Sequence, residues 1–184
     1  SIMRLAPVPI AFHDLWTKEN NQDFQRYAEE SSATTHASEQ CKSSCRYLAA
    51  VLAALINGES KDEVLSPSWS KLDWLIDYKP LHPLVANVVF KTTFKTKSPP
   101  DIKGSGWVIE SLEAALWAFN KARSFDEAVL YAVNLGDDSD TTGAVCGQLA
   151  GACWGEKGIP TKWLDNLAQK QMLEEALTLL KAGK

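Results

Sequence analysis

The sequence predicts an all-α domain of about eight to ten helices. Three observations lead there. Apolar residues recur at spacings of three and four along much of the chain. Ser stands ahead of several such runs and Gly behind others, the usual punctuation of helix starts and stops. A length of 184 residues with 45% hydrophobic side chains is enough for one domain, residues 1–184, with a core of ordinary size.

Each element follows in order. Segment 22–30 is polar, with Phe24, Tyr27 and Ala28 at helical spacing. A long helix is expected over 37–57, where Cys41, Cys45, Leu48, Ala49, Leu52 and Leu55 share one stripe and Gly58 stops it. Ser60 caps a short turn of helix to Leu65, with Glu63 in the capping-box position. Pro67 opens another short helix carrying Trp69, Leu72, Trp74 and Leu75, of which Trp74 is assigned to packing. From 79 to 106 the pattern breaks at Pro80, Pro83, Pro99, Pro100, Gly104 and Gly106. Inside it, 88–94 is a candidate strand. An irregular stretch this long is either a functional loop or a surface excursion. Helices resume over 107–122, with Val108, Ser111, Leu112, Ala115, Leu116 and Phe119 on one side and Trp117 packing. Ser124 caps 125–134, and Glu127 follows it. The helix over 138–155 carries Gly143, Gly147, Gly151 and Gly155 at every fourth position, which predicts close helix packing. Pro160 lies in the first turn of a short helix, and 170–181 closes the chain.

Composition excludes several classes. A net charge of −4 gives no general footprint for nucleic acid. No apolar run approaches the ~20 residues that span a bilayer, and the opening residues lack the apolar stretch of a secretory signal. The expectation is therefore no nucleic acid and no membrane. The four cysteines form no paired CxxC motif. Cys41 with Cys45, and Cys146 with Cys153, fall on helix faces where disulfide geometry is rarely met. Buried reduced thiols and a cytoplasmic location are expected.

The densest chemistry is Gly136-Asp137-Asp138-Ser139-Asp140-Thr141-Thr142-Gly143. It holds three carboxylates and two threonine hydroxyls within six residues. Such oxygens suit a hard divalent cation, Mg²⁺, Mn²⁺ or Ca²⁺. An acidic helix cap is the plainer reading, but a cap needs fewer such residues. An EF-hand loop starting at Asp138 fails, because its twelfth position is Leu149, which cannot ligate.

Several segments together resemble the ADP-ribosylglycohydrolase family. Gly136 to Thr141 is similar to its second metal-binding segment, Asp-x-Asp-Thr, and Gly147-Gln148-Leu149-Ala150-Gly151-Ala152 and Ile159-Pro160 continue the match. Ser1-Ile2-Met3-Arg4 is similar to the end of its Gly-x-Gly-(Ser/Ala)-x-Met-Arg loop, and Thr35-His36 to its Thr-His motif. Gly104-Ser105-Gly106-Trp107-Val108 is similar to its Gly-x-Gly-(Tyr/Trp)-Val segment, and the stretch after it, 110–119, is similar too. The earlier Thr-Asp-Asp metal segment has no counterpart. The chain thus looks like the C-terminal portion of such a protein, with an N-terminal half absent or on another polypeptide.

The resemblance implies hydrolysis of the glycosidic bond that links ADP-ribose to a protein side chain or small molecule. It implies a pair of Mg²⁺ ions, with Mn²⁺ as the alternative. Asp138, Asp140 and Thr141 would be ligands, and Asp137 a supporting or solvated charge. Met3 and Arg4 would line the phosphate and ribose, and His36 would hold a ribose or phosphate oxygen. Gly104, Ser105 and Gly106 would bring backbone close to ADP-ribose, and Trp107 would stack on its flat ring. Without the resemblance, His36 reads as a packed or capping residue and Trp107 as a core residue. Partners are ADP-ribose or an ADP-ribosylated protein, with a separate N-terminal half or a second copy covering apolar faces. The other reading is a non-catalytic, crystallin-like or ADP-ribose-binding member of the same fold.

Overall fold

A computed structural model describes residues 1–182. Among them the chain forms twelve α-helices and three 3₁₀ turns, with no strand. A 3₁₀ turn at Ile2–Arg4 leads to α1 (Pro7–Phe12), and a second at His13–Leu15 leads to α2 (Asn21–Ala33). Then come α3 (Glu39–Ile56), α4 (Lys61–Val64), α5 (Leu72–Tyr78), α6 (Pro83–Phe90) and α7 (Thr93–Thr96). The second half holds α8 (Val108–Lys121), α9 (Phe125–Val133) and α10 (Ser139–Trp154). A turn at Glu156–Gly158 precedes α11 (Thr161–Asp165) and α12 (Lys170–Ala182).

Helix α3 is the axis of the fold. Its second half, from Leu48 to Leu55, is apolar on every side, the pattern of a helix surrounded by protein. It packs on α1, α2, α8 and α10. Helix α10 in turn covers α8 and α9 and touches the Ile2–Arg4 turn. Three helices therefore share one core. Their N-terminal ends are the parts that the rest of the fold positions.

Two charged side chains inside this core are held by local partners. Arg46 is buried, and its Nη1 donates to Leu75 O at 3.2 Å and Lys79 O at 2.7 Å. Its Nη2 donates to Pro80 O at 3.0 Å, and Nε lies 3.3 Å from Glu29 Oε1. One guanidinium thus ties α3 to α2 and to the turn after α5. Buried Glu113 accepts from Thr93 Oγ1 and, at 2.9 Å on each oxygen, from Lys97 Nζ, which pins α7 against α8.

The capping signals at Ser60 and Ser124 hold, and Ser38 is a further cap at the start of α3. Ser38 accepts from Cys41 N, Ser60 and Glu63 form the reciprocal box, and Ser124 accepts from Glu127 N. Trp74 and Trp117 pack as expected, against Trp16 and Tyr131 respectively. All four cysteines are free: Cys41, Cys45 and Cys146 are buried, and Cys153 is half-buried.

The short helix expected from Pro67 begins only at Leu72, which leaves Trp69 in the turn before it, and two further expectations are corrected. The candidate strand at 88–94 is instead the end of α6 and the start of α7, with a turn at Lys91 and Thr92 between them. His82 Nδ1 accepts from Leu84 N and Pro83 stands at the first helical position, so a helix starts there. Val85, Val88 and Val89 then fall on one buried face at helical spacing, and this tertiary burial outweighs the β-propensity of valine. The second correction concerns the glycines of α10. Only Gly143 is packed as predicted, since a Cβ there would sit 2.7 Å from Val133 Cγ1. A Cβ at Gly147 or Gly151 would meet nothing within 4 Å, and both line an apolar groove of about 250 Å³ with Ala6, Pro9, Ile10, Leu52 and Ile56. Gly155 ends the helix at φ +66°, a C-terminal role rather than a packing one.

Candidate functional site

Four segments meet at a cleft of about 390 Å³. The Ile2–Arg4 turn contributes Ser1, Ile2 and Met3; the start of α3 contributes His36, Ser38, Gln40 and Cys41. The start of α8 contributes Gly106, Trp107, Val108 and Ser111, and the start of α10 contributes Asp138 and Thr141. The N-termini of α3, α8 and α10 thus open on one cavity. Helix N-termini carry partial positive charge and free N–H groups, so their convergence favours an anionic ligand.

Helix α10 is delivered to the cleft by a sharp turn. Gly136 (φ 75°) and Asp137 (φ 54°) are both left-handed, a conformation that Gly takes freely and Asp tolerates. Asp138 N then donates to Gly104 O at 2.7 Å, which fastens the α10 start to the loop before α8. Gly104 is buried in that contact and does not line the cleft. A Cβ on Gly104 would lie 2.9 Å from Gly136 O, a backbone atom that cannot swing aside. Gly104→Ala should therefore lower stability by about 1–2 kcal/mol through overpacking, measured by urea unfolding. An unchanged midpoint would show that the two loops are not tightly seated.

Asp138 occupies the N-cap of α10 but makes no side-chain capping bond. Among the described residues, neither its carboxylate nor that of Asp140 has a hydrogen bond or ion pair with protein. The space above Asp138 is kept open by Gly106, where a Cβ would sit 3.0 Å from Asp138 Oδ2. Asp140 is exposed and lies outside the cleft lining, one residue from Thr141. Thr141 Oγ1 donates to Met3 Sδ at 3.7 Å. The donor chemistry fits a hard cation in kind, because the two carboxylates are uncommitted and the Thr141 hydroxyl, which donates to Met3, keeps its lone pairs. It falls short in number: among the described residues no group of three or more His, Cys, Asp or Glu side chains converges.

The other predicted residues divide. Met3, His36, Gly106 and Trp107 reach the cleft. His36 Nδ1 pairs with Thr35 Oγ1 at 2.8 Å, and among the described residues Nε2 has no protein partner. Arg4 does not reach it. Its Nη2 donates to Ser31 O at 2.7 Å, to Thr34 Oγ1, and to Thr35 Oγ1 at 3.0 Å. Arg4 therefore clamps the end of α2 and supports His36 through Thr35. Ser105 Oγ donates to Glu110 and accepts from Trp107 N, so it shapes the loop from outside the cleft lining. The Ile2–Arg4 turn is itself held by Gln148, whose Nε2 donates to Ile2 O and Met3 O at 3.0 Å each.

A sequence model of the ADP-ribosylglycohydrolase family matches residues 1–183. The chain belongs to that family. It is 36% identical over 179 residues to ADP-ribosylarginine hydrolase Tri1 of Pseudomonas putida (strain GB-1), covering 95% of this chain and 43% of the relative. It is 35% identical over 173 residues to the Tri1 enzyme of Serratia proteamaculans (strain 568), covering 94% of this chain and 43% of that one. A solved structure described as an ADP-ribosylglycohydrolase-related protein complex superposes with a TM-score of 0.78 at 33% identity. That match covers 98% of this chain and 58% of the other. The chain thus spans about half the length of the relatives it matches. An all-α fold is what this ADP-ribosylglycohydrolase domain shows.

Sequence reasoning missed Gln40 and Ser111 in the cleft of this family member. The sequence pattern puts Ser111 on the apolar side of α8, but it lines the cavity, and among the described residues its buried Oγ has no hydrogen-bond partner. The signal was a lone hydroxyl in an otherwise apolar stripe. Gln40 carried no signal beyond its place in the first turn of α3.

Proposed function

We propose that this chain supplies a metal-ligand cluster and part of the ADP-ribose pocket of a glycohydrolase that removes ADP-ribose from arginine side chains. The observation that carries the reading is the meeting of Met3, His36, Gly106, Trp107, Asp138 and Thr141, from four separate segments, in one cleft. The names of the Tri1 relatives point to arginine as the leaving group. The reaction breaks the bond between the ribose anomeric carbon and the guanidino nitrogen and adds water across it.

The residues have distinct tasks. The indole face of Trp107 receives the adenine ring. The diphosphate lies toward the N-termini of α3, α8 and α10, where N–H groups and helix dipoles offset its charge. His36 offers Nε2 to a ribose or phosphate oxygen. Asp138 and Thr141, with Asp140 beside them, would hold Mg²⁺, or Mn²⁺ in its place. When bound there, such a metal would supply positive charge near the ribose hydroxyls and make a nearby water more acidic. Gly106 keeps backbone, not side chain, next to Asp138. The four free thiols support a cytoplasmic setting, and a further segment or second copy would complete the ligand shell.

A second reading, an ADP-ribose-binding member without turnover, is favoured by the small number of acidic groups at the cleft. One assay separates the two. The purified chain is titrated with ADP-ribose and then offered an ADP-ribosylarginine-bearing protein with saturating Mg²⁺. We expect saturable binding and turnover well below that of the longer Pseudomonas relative. Equal turnover would show that the donors on this chain suffice. No binding at millimolar ADP-ribose would remove the pocket assignment.

A further inference from the structure

We infer that Gln40 is a positioning residue: it fixes the Trp107 indole across the cleft and so sets the affinity for the base of the ligand. This rests on the reading that Trp107 stacks on that base. The two residues come from different walls, 67 positions apart in sequence, and their side chains meet at 3.0 Å, Trp107 Nε1 donating to Gln40 Oε1. Trp107 is 45% exposed. A ring so little enclosed is free to change rotamer unless a specific contact holds it. Its side chain has no other hydrogen bond among the described residues, so this bond is the polar restraint on the ring plane.

The direction of the bond fixes the rest of Gln40. An indole N–H can only donate, so the end of the amide at Trp107 must be the oxygen. The Gln40 amide nitrogen is left without a protein partner in the cleft lining. The bond also joins the first turn of α3 to the first residue before α8. A preset stacking face avoids the cost of ordering the ring when ligand binds. Losing the bond returns that cost to binding without removing the ring.

Gln40→Met keeps the length of the side chain and removes the acceptor. Trp107→Phe keeps a flat ring and removes the donor. In ¹⁵N spectra the Trp107 indole signal is the one lost in Trp107→Phe among the seven tryptophans. We expect Gln40→Met to move that proton upfield and leave the other indole signals in place, which also reports an intact fold. We expect it to weaken ADP-ribose binding about three- to tenfold, as loss of one hydrogen bond does. In the Trp107→Phe background the same change should alter affinity less than about twofold, because the coupling is gone. Two results would overturn the inference alone: Gln40→Met binding as tightly as the parent while Trp107→Ala binds worse, or equal weakening by Gln40→Met in both backgrounds. Trp107→Ala binding as tightly as the parent would instead remove the stacking reading, and this inference with it.

Discussion

Replacing Asp138 and Asp140 together by Ala should abolish the Mg²⁺ or Mn²⁺ binding that we expect calorimetry to detect for the parent chain. Among the described residues both carboxylates are uncommitted to protein donors, and Asp138 faces a gap that Gly106 leaves open. A cap would behave otherwise. A carboxylate that serves only the helix interacts with first-turn N–H groups, and its loss costs about 0.3–1 kcal/mol of stability without touching metal affinity. The double variant therefore discriminates. Lost metal binding with a small fall in midpoint supports ligation. Unchanged metal binding with the same fall would return the cluster to a capping role. The single variants should differ: Asp138→Ala should weaken binding more than Asp140→Ala, because Asp138 lines the cleft and Asp140 does not. Equal single effects would mean that Asp140 turns inward when metal binds.

The cleft was legible in the sequence only where chemistry is concentrated along the chain. The run from Asp137 to Thr141 announces itself because carboxylates and a hydroxyl are adjacent, and the glycines around Trp107 mark a close backbone approach. Helices α3, α8 and α10 were legible through the spacing of their apolar residues, since burial imposes that period. Helices α6 and α7 were hidden by valine, threonine and proline, whose local preferences point elsewhere until the buried face of α6 forms. The open groove beside Gly147 and Gly151 was hidden for a similar reason. A stripe of small residues permits close packing but does not say whether a neighbour is there. Arg4 shows the converse limit. A motif matched its identity, while its hydrogen bonds to Ser31, Thr34 and Thr35 place it behind the cleft wall rather than in it. Gln40 joins the site through a partner 67 residues away, and no local pattern encodes such a contact.

Trp107→Ala should weaken ADP-ribose binding about five- to a hundredfold. Stacking of a nucleobase on an aromatic side chain is worth about 1–3 kcal/mol by alanine substitution, and each 1.4 kcal/mol is about tenfold in affinity. The variant should lose the ligand and keep the fold, because a ring that is 45% exposed contributes little to the core. Surface changes of that kind stay within about 0.5 kcal/mol. Trp117 provides the contrast on the same helix. It is 8% exposed and packs edge-on to Tyr131. Trp117→Ala should cost about 3–5 kcal/mol of stability, as large core truncations do. Comparing the two by calorimetry and urea unfolding separates a ligand-facing tryptophan from a structural one. If Trp107→Ala lowered stability as Trp117→Ala does and left ADP-ribose affinity unchanged, the indole would belong to the core, and the flat face of the pocket would have to come from another residue. The expected pattern is the reverse, with affinity lost at Trp107 and stability lost at Trp117, because the N-cap of α8 presents one ring to the cleft while the middle of that helix buries the other.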